Sequence, residues 1–306
     1  MIIMMIIHFY YNRARDTMKG GRKCWKMEWL LFVIGGAVIG MISGFFGIGG
    51  GIILTPVLLV LGYEPSQAII LSLMLTLGST VTGTLSHLKM KNVNIRLACL
   101  LGLFGVIGAV STVPLVQGLE KINGASTVIS AVYIIILSWF AFQYLTHNQS
   151  VKNERGKFWI LLIGLFTGIM SSLMGVSGGF VMTPLLTKKV GIELKKAVGT
   201  SIAAASIIVI SGIGSYVYGG AEMDYRHGLL LIGGALIGTP FGIINLKVFS
   251  VDKVKEMLAV FYIVVAFSVV LKLLSLTKLS LGLILTGVGL FIIVLFYNRV
   301  SRLLKV

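Results

Sequence analysis

The sequence is poor in charged residues. Asp, Glu, Lys and Arg together make up 12% of its 306 residues, roughly half of the share that is usual in soluble proteins. Hydrophobic residues make up 57%, and the mean hydropathy is +0.99. This balance excludes an ordinary soluble domain. Apolar runs of about 20 residues recur along the chain, as helices that cross a bilayer require, so we predict an all-α polytopic membrane protein.

Cysteine and acidic residues are also scarce. The two cysteines, Cys24 and Cys99, lie far apart in the sequence and indicate neither a disulfide framework nor a metal site. No cluster of His, Asp and Glu and no Ser-His-Asp arrangement is visible, so we predict no enzyme activity, no bound metal and no cofactor. No acidic residue lies clearly in the middle of an apolar run, which gives no support to a proton relay through buried carboxylates.

Basic residues outnumber acidic residues by 26 to 10. They are scattered through the loops between apolar runs and through the tails. This distribution is typical of charge that fixes the orientation of a membrane protein, and it does not resemble a nucleic-acid-binding surface. We therefore expect a multi-pass protein of the cell membrane whose partner is the lipid bilayer, with no nucleic acid as a partner. The oligomeric state is left open.

The chain divides into two halves that follow the same plan. We predict eight long spans and two short broken-helix segments. The expected divisions are a basic amino-terminal tail at 1–27, a first membrane repeat at 28–146, a linker at 147–157, a second membrane repeat at 158–275, and an extra carboxyl-terminal span with a basic tail at 276–306.

Loops at matching places of the two halves differ in charge. The loop at 89–96 contains three basic residues, whereas its counterpart at 219–226 contains two acidic residues and one basic residue. The loop at 62–66 has no basic residue, whereas its counterpart at 188–196 has four lysines. Because basic loops tend to stay in the cytoplasm, we expect inverted repeats with 89–96 and 188–196 on the cytoplasmic side. The basic tail at 1–27 would then lie on the opposite side, against the rule.

Two glycine-rich stretches interrupt apolar segments at matching places of the two halves. They share six identical positions at a constant offset: Ser43/Ser171, Gly47/Gly175, Gly50/Gly178, Gly51/Gly179, Thr55/Thr183 and Pro56/Pro184. Glycine weakens a helix, and proline removes a backbone donor. Because lipid cannot satisfy freed backbone groups, each break must face protein, water or a ligand.

A helix that restarts inside the membrane can bind an anion without a charged side chain. Its first N–H groups are unpaired and lie at the positive end of the helix dipole. The candidate substrate-binding residues are the glycines of both breaks and the hydroxyl residues near them: Gly49, Gly50, Gly51, Thr55, Ser177, Gly178, Gly179, Thr183, Ser72, Thr200 and Ser201. The alternative is that the glycines only allow close helix packing. Matching interruptions in two halves favour a transporter binding site.

These motifs resemble those of the TauE/SafE family of sulfite exporters. The resemblance is carried by Gly47-Ile48-Gly49-Gly50-Gly51 with Thr55-Pro56, by the second copy through Thr183-Pro184, and by Ala197-Val198-Gly199-Thr200-Ser201, and it covers roughly residues 29–274. It implies a secondary transporter of a small anion, such as sulfite, an organosulfonate or a related sulfur-containing anion. The first half departs from the pattern, because it has Ile70-Leu71-Ser72 where the second has Gly199-Thr200-Ser201. A structural or accessory membrane protein without transport activity is the alternative.

Overall fold

A computed structural model describes residues 23–121, 124–145, 157–246 and 249–303. These residues form eleven α-helices, and no strand occurs among them. The helices are α1 (Lys23–Phe46), α2 (Gly51–Val60), α3 (Pro65–Lys89), α4 (Ile95–Glu120), α5 (Ala125–Leu145), α6 (Lys157–Met174), α7 (Gly179–Leu185), α8 (Leu194–Tyr218), α9 (Tyr225–Leu246), α10 (Val251–Leu273) and α11 (Thr277–Leu303). A wider π-helical turn, Leu186–Val190, continues α7. The predicted all-α class is confirmed.

Eight of these helices are long and apolar enough to cross a membrane, namely α1, α3, α4, α5, α8, α9, α10 and α11. This number confirms the eight long spans predicted from the sequence. The predicted short segments correspond to α2 and α7, and α6 is a further apolar helix of nearly full length. Large apolar side chains such as Leu103, Ile135 and Leu290 remain exposed, as a lipid-facing surface requires.

The amino-terminal tail at 1–27 lies largely outside the described residues, and so does the linker at 147–157. The proposed division into domains stays a prediction.

Local sequence explains where several helices begin. Pro65 opens α3 at a position where its missing N–H is not needed. The Asn94 side chain accepts a hydrogen bond of 3.2 Å from the Leu97 N–H and so caps the start of α4.

The two halves of the chain are interlocked. The helix α1 of the first half packs along α9 of the second, and α6 of the second half packs along α4 of the first. The two helices of each pair are parallel. Gly36 and Gly44 of α1 lie against Leu231 and Thr239 of α9. In the other pair, Gly164 lies against Leu101 and Gly168 against Gly105. Glycines at these crossings let the helix backbones approach closely.

Contacts at the helix ends show which ends lie together. The start of α3 meets the end of α4, because the Ser66 N–H donates to Glu120 at 2.5 Å. The start of α8 meets the start of α4, because the Asn94 N–H donates to Thr200 Oγ1 at 3.1 Å. The α1–α2 pair therefore begins and finishes at the α3-start end of the bundle, and the α6–α7 pair does so at the opposite end. Inversion of the complete repeats stays a prediction.

Candidate functional site

The two glycine-rich breaks contact each other deep inside the protein. A Cβ placed on Gly49 would lie 2.7 Å from the Cβ of Ser177, which occupies the matching position of the second copy. Gly51 packs on the carbonyl of Gly175, and Gly179 packs in the same way on the carbonyl of Gly47. The contact is therefore reciprocal, with each break resting on the matching residues of the other.

The breaks also turn in the same way. Gly47 and Gly175 have φ angles of +67° and +69°, in the left-handed region that favours glycine. This conformation explains why glycine recurs at this position in both copies. All five glycines of the predicted site are buried, so the close packing considered as an alternative role is present.

Some of these glycines pack against side chains and others against backbone. A Cβ on Gly50 would meet the side chains of Leu75 and Ile39, and one on Gly178 would meet Thr167. A Cβ on Gly51 would meet the backbone of Gly175. Side chains can adjust more easily than backbone, so the positions differ in how strictly they require glycine.

Helix starts and hydroxyl groups lie at this contact. The Gly50 carbonyl accepts the N–H groups of Ile53 and Leu54, each at 3.2 Å, so the earlier N–H groups of α2 precede the first internal bonds. At the start of α7, the Gly179 N–H donates to Ser177 Oγ at 3.2 Å.

Two further hydroxyls lie beside the start of α7. Thr183 Oγ1 and Ser201 Oγ are 2.8 Å apart, and Ser201 Oγ also donates to the Val198 carbonyl at 2.9 Å. A Cβ on Gly179 would lie 3.8 Å from Ser201 Oγ. The start of α7 therefore combines backbone N–H groups with hydroxyl donors.

Carbonyl groups also lie at this contact, at the end of α6. The Met174 carbonyl accepts a hydrogen bond of 2.9 Å from Thr55 Oγ1 and a second one from the Tyr133 hydroxyl. The Ser172 carbonyl accepts the Tyr216 hydroxyl at 2.7 Å. The end of α6 is thus held by side chains from α2, α5 and α8.

The adjacent Gly175 is surrounded by oxygen atoms. Its carbonyl accepts a hydrogen bond of 3.4 Å from Thr76 Oγ1. Ser72 lies beside it and is fully buried, and within the described ranges its hydroxyl has no hydrogen-bond partner. Thr55, which we grouped with the anion-binding residues, therefore lies against a carbonyl oxygen, and Ser72, from the same group, packs beside Gly175. Carbonyl oxygens carry negative partial charge at a helix carboxyl terminus, which disfavours an anion.

Thr200 has a different environment from the other predicted residues. It is fully buried, and its hydroxyl accepts the Asn94 N–H near the end of the bundle. Its neighbour Ser201 turns toward Thr183 because successive helix residues point in directions about 100° apart. The structure thus brings together ten of the eleven predicted residues around the breaks and engages the Thr200 hydroxyl with a loop.

Sequence reasoning missed Tyr133, Tyr216, Thr76 and Glu120. Glu120 accepts the N–H and the hydroxyl of Ser66 at 2.5 and 2.6 Å. The only available signal for the others was a polar group on an otherwise apolar helix face. In the part of the chain that the structure describes, no group of three or more His, Cys, Asp and Glu side chains could hold a metal ion.

Eight apolar spans around two opposed helix breaks define a multi-pass helical membrane protein of the transporter class. Comparison with protein families gives the more particular assignment. The family described as "Sulfite exporter TauE/SafE" matches residues 32–269, well over half of the chain. The chain belongs to this family, which confirms the resemblance noted in the sequence.

Curated relatives carry transporter names. The chain is 26% identical over 221 residues to the probable membrane transporter protein MJ0441 of Methanocaldococcus jannaschii. This match covers 68% of the chain and 79% of the relative. It is 29% identical over 226 residues to the probable membrane transporter protein YjnA of Bacillus subtilis, covering 68% and 87%. A probable membrane transporter protein of Haemophilus influenzae is 25% identical over 262 residues, covering 79% and 98%. No solved structure gives a significant match.

Proposed function

We propose that the protein is a secondary transporter of a small sulfur-containing anion, such as sulfite or an organosulfonate, and that the anion binds between the two helix breaks. Membership of the sulfite exporter family supports the substrate class. The reciprocal contact between Gly51 and Gly175 and between Gly179 and Gly47 is the observation that carries the choice of site. It brings two helix starts, which are favourable for anions, into one buried place.

The electrostatics favour the helix starts at the breaks for the anion. The N–H groups around Gly49–Gly51 and Ser177–Gly179 provide positive partial charge, and Thr183 and Ser201 add hydroxyl donors. The carbonyl groups at the end of α6 would repel an anion. We therefore retain the glycines, Ser177, Thr183 and Ser201 as anion contacts. Thr55, Ser72 and Thr200 belong to the surrounding structure in this proposal.

The helix directions support inverted repeats. The α1–α2 pair approaches the breaks from one end of the bundle and the α6–α7 pair from the other. In transporters built this way, rocking of one repeat against the other exposes a central site to each side of the membrane in turn. The site between the breaks would then be reached alternately from the two ends of the bundle.

The test is anion flux in proteoliposomes that contain the purified protein. We expect flux of at least one member of a panel comprising sulfite, sulfate, thiosulfate, sulfonates and carboxylates. Replacement Ser201→Ala should raise the Kd of the transported anion roughly tenfold, because a hydrogen bond to a charged group contributes roughly 1.5–3 kcal/mol.

Ser211→Ala is the matched control for Ser201→Ala. Both serines lie on α8 and donate to the carbonyl three residues earlier, Ser201 at 2.9 Å and Ser211 at 2.8 Å. Equal affinities for the anion in Ser201→Ala, Ser211→Ala and the unmodified protein would contradict anion binding at the breaks. Folded protein without flux of any tested anion would favour the structural or accessory role.

A further inference from the structure

We propose that the oxygen atoms around Gly175 bind a sodium ion, and that this ion is coupled to the anion. We call this group the Gly175 oxygen cluster and define it as the carbonyl oxygen of Gly175 with the hydroxyls of Thr55, Ser72 and Thr76. The binding of sodium stands on the cluster alone, whereas its coupling to an anion rests on the proposed function.

The cluster is built around one glycine by three helices. An added Cβ on Gly175 would lie 2.7 Å from Thr55 Oγ1 of α2, 2.9 Å from Ser72 Cβ and 3.1 Å from the Ile69 carbonyl oxygen of α3. Thr76 Oγ1, one turn after Ser72, lies 3.4 Å from the Gly175 carbonyl oxygen. Two oxygen atoms, from Thr55 and from Ile69, therefore lie close to this glycine, and an added side chain would meet them.

Ser72 provides a second and independent observation. It is 0% exposed, and its hydroxyl is the member of the cluster that has no hydrogen-bond partner within the described residues. Buried hydroxyl groups are nearly always hydrogen-bonded, since an unpaired one is costly. A bound cation would satisfy the lone pairs of this oxygen.

The chemistry of the cluster fits a monovalent hard cation. All its donors are oxygen atoms, which hard cations prefer, and they are neutral hydroxyls and a carbonyl. One of them, the Gly175 carbonyl, directly follows the carboxyl-terminal end of α6, where the helix dipole is negative. A divalent ion would leave more charge uncompensated in this buried place than a sodium ion does. Carbonyl groups at the ends of interrupted helices are the ligands that transporters use for sodium.

The cluster lies next to the proposed anion site in the chain. Gly175 follows the carbonyl groups at the end of α6, and Ser177 and Gly179 lie at the N–H-rich start of α7 only a few residues later. A cation in the cluster and an anion at the breaks attract each other, so each should strengthen the binding of the other by the same factor. This reciprocity would link anion transport to the sodium gradient.

The experiment measures sodium binding to the purified full-length protein in the absence of a sulfur-containing anion. We expect radioactive sodium to bind and NaCl to raise the thermal unfolding temperature more than choline chloride or KCl does. Ser72→Ala and the shape-conserving Thr76→Val should each raise the Kd for sodium at least tenfold. Ser86→Ala is the control, since this serine also lies on α3 but donates to the Thr82 carbonyl at 2.9 Å.

A second measurement tests the coupling. Sodium should lower the Kd of sulfite in the unmodified protein and should lose most of this effect in Ser72→Ala or, if that variant does not fold, in Thr76→Val. Sulfite transport that is indifferent to sodium, or that depends on pH alone, overturns the inference and leaves the proposed function intact. Sodium binding without flux of any sulfur-containing anion would instead contradict the proposed function and preserve the cation site.

Discussion

At the scale of single residues, hydroxyl groups hold the second break in place. Tyr133 and Thr55 both donate to the Met174 carbonyl, and Tyr216 donates to the Ser172 carbonyl. Carbonyls at a helix end have no partner within the helix, and lipid offers none. Tyrosines that span the distance from neighbouring helices therefore make a broken helix tolerable inside the bundle.

Removal of one such hydroxyl should lower stability measurably. Tyr133→Phe deletes a buried hydrogen bond but leaves Thr55 on the same carbonyl, so we expect a loss of about 1 kcal/mol in the free energy of unfolding. The measurement is unfolding in detergent. Tyr218→Phe serves as the control because Tyr218 is 96% exposed. Equal stability of the two variants would show that the Tyr133 hydroxyl contributes nothing.

The carboxylate of Glu120 binds the start of another helix. It accepts the N–H and the hydroxyl of Ser66, and hydrogen bonds to charged groups contribute roughly 1.5–3 kcal/mol. Glu120→Ala should therefore destabilise the protein by about that amount in the same unfolding assay. Glu222→Ala is the control, since Glu222 is exposed and its contact to Gln67 is 3.5 Å long. Stability unchanged in Glu120→Ala would contradict the structure at this helix start.

The remaining loop carboxylates at Glu64, Glu193, Glu222 and Asp224 are exposed. Replacement of each in turn by its amide should leave measurable anion flux, because none of them faces the breaks. Flux assays on normally expressed variants provide the measurement. Abolished flux in any one of them would reveal a coupling group at the surface.

At the scale of elements, the sequence predicted the breaks but not their contact. The duplicated glycines and the Thr-Pro pairs indicated where helices stop and restart, and α2 and α7 begin there. The reciprocal seating of Gly51 on Gly175 depends on two segments far apart in the chain, so no local pattern could predict it. For the same reason, the contact of each helix start with a carbonyl of the other break became visible only in three dimensions. Ser72 could be found by its residue type, but its place beside Gly175 could not.

The glycines should differ in how much they tolerate a methyl group. At Gly51 the added atom would strike the backbone of Gly175, whereas at Gly50 it would strike the side chains of Leu75 and Ile39. Overpacking of this kind costs roughly 1–3 kcal/mol, and we expect Gly51→Ala to reach the upper part of this range and Gly50→Ala the lower part. Unfolding in detergent measures both.

Gly214→Ala is the control for this series. Gly214 lies on α8 with open space around it, so alanine should be neutral or slightly stabilising there. Gly102, by contrast, faces Ile207, with an added Cβ 2.8 Å from its side chain, and would itself suffer from overpacking. If Gly51→Ala were as stable as Gly214→Ala, the close contact of the breaks would be wrong.

At the scale of the whole molecule, composition predicted the class of protein and the number of long spans. Hydropathy depends only on local sequence, which is why this part succeeded. The pairing of α1 with α9 and of α6 with α4 exchanges helices between the halves, and hydropathy contains no information on it. Charge gave one long-range clue, the shared side of the two basic loops at 89–96 and 188–196. The hydrogen bond from the Asn94 N–H to Thr200 agrees with this clue, because it joins the starts of α4 and α8, the two helices that follow these loops.

Labelling of introduced cysteines can test which side these loops occupy. In a background with Cys24 and Cys99 replaced by serine, an impermeant maleimide added to intact cells should label Glu222→Cys. It should miss Lys91→Cys and Lys189→Cys, because basic loops stay in the cytoplasm. Permeabilised cells provide the control that all three cysteines can react. Labelling of either lysine position in intact cells would contradict the proposed orientation.

The exchange of helices between the halves also affects how the protein is made. The glycine face of α1 is covered by α9, a helix that leaves the ribosome only after most of the chain has been synthesised. Until α9 is synthesised, the glycine face of α1 stays uncovered in the membrane and can bind other proteins. The face of α4 that α6 covers stays uncovered in the same way until α6 is synthesised. Biogenesis should therefore depend on late docking between the halves. Either half expressed alone should be degraded, whereas both halves expressed together as separate chains should rescue each other.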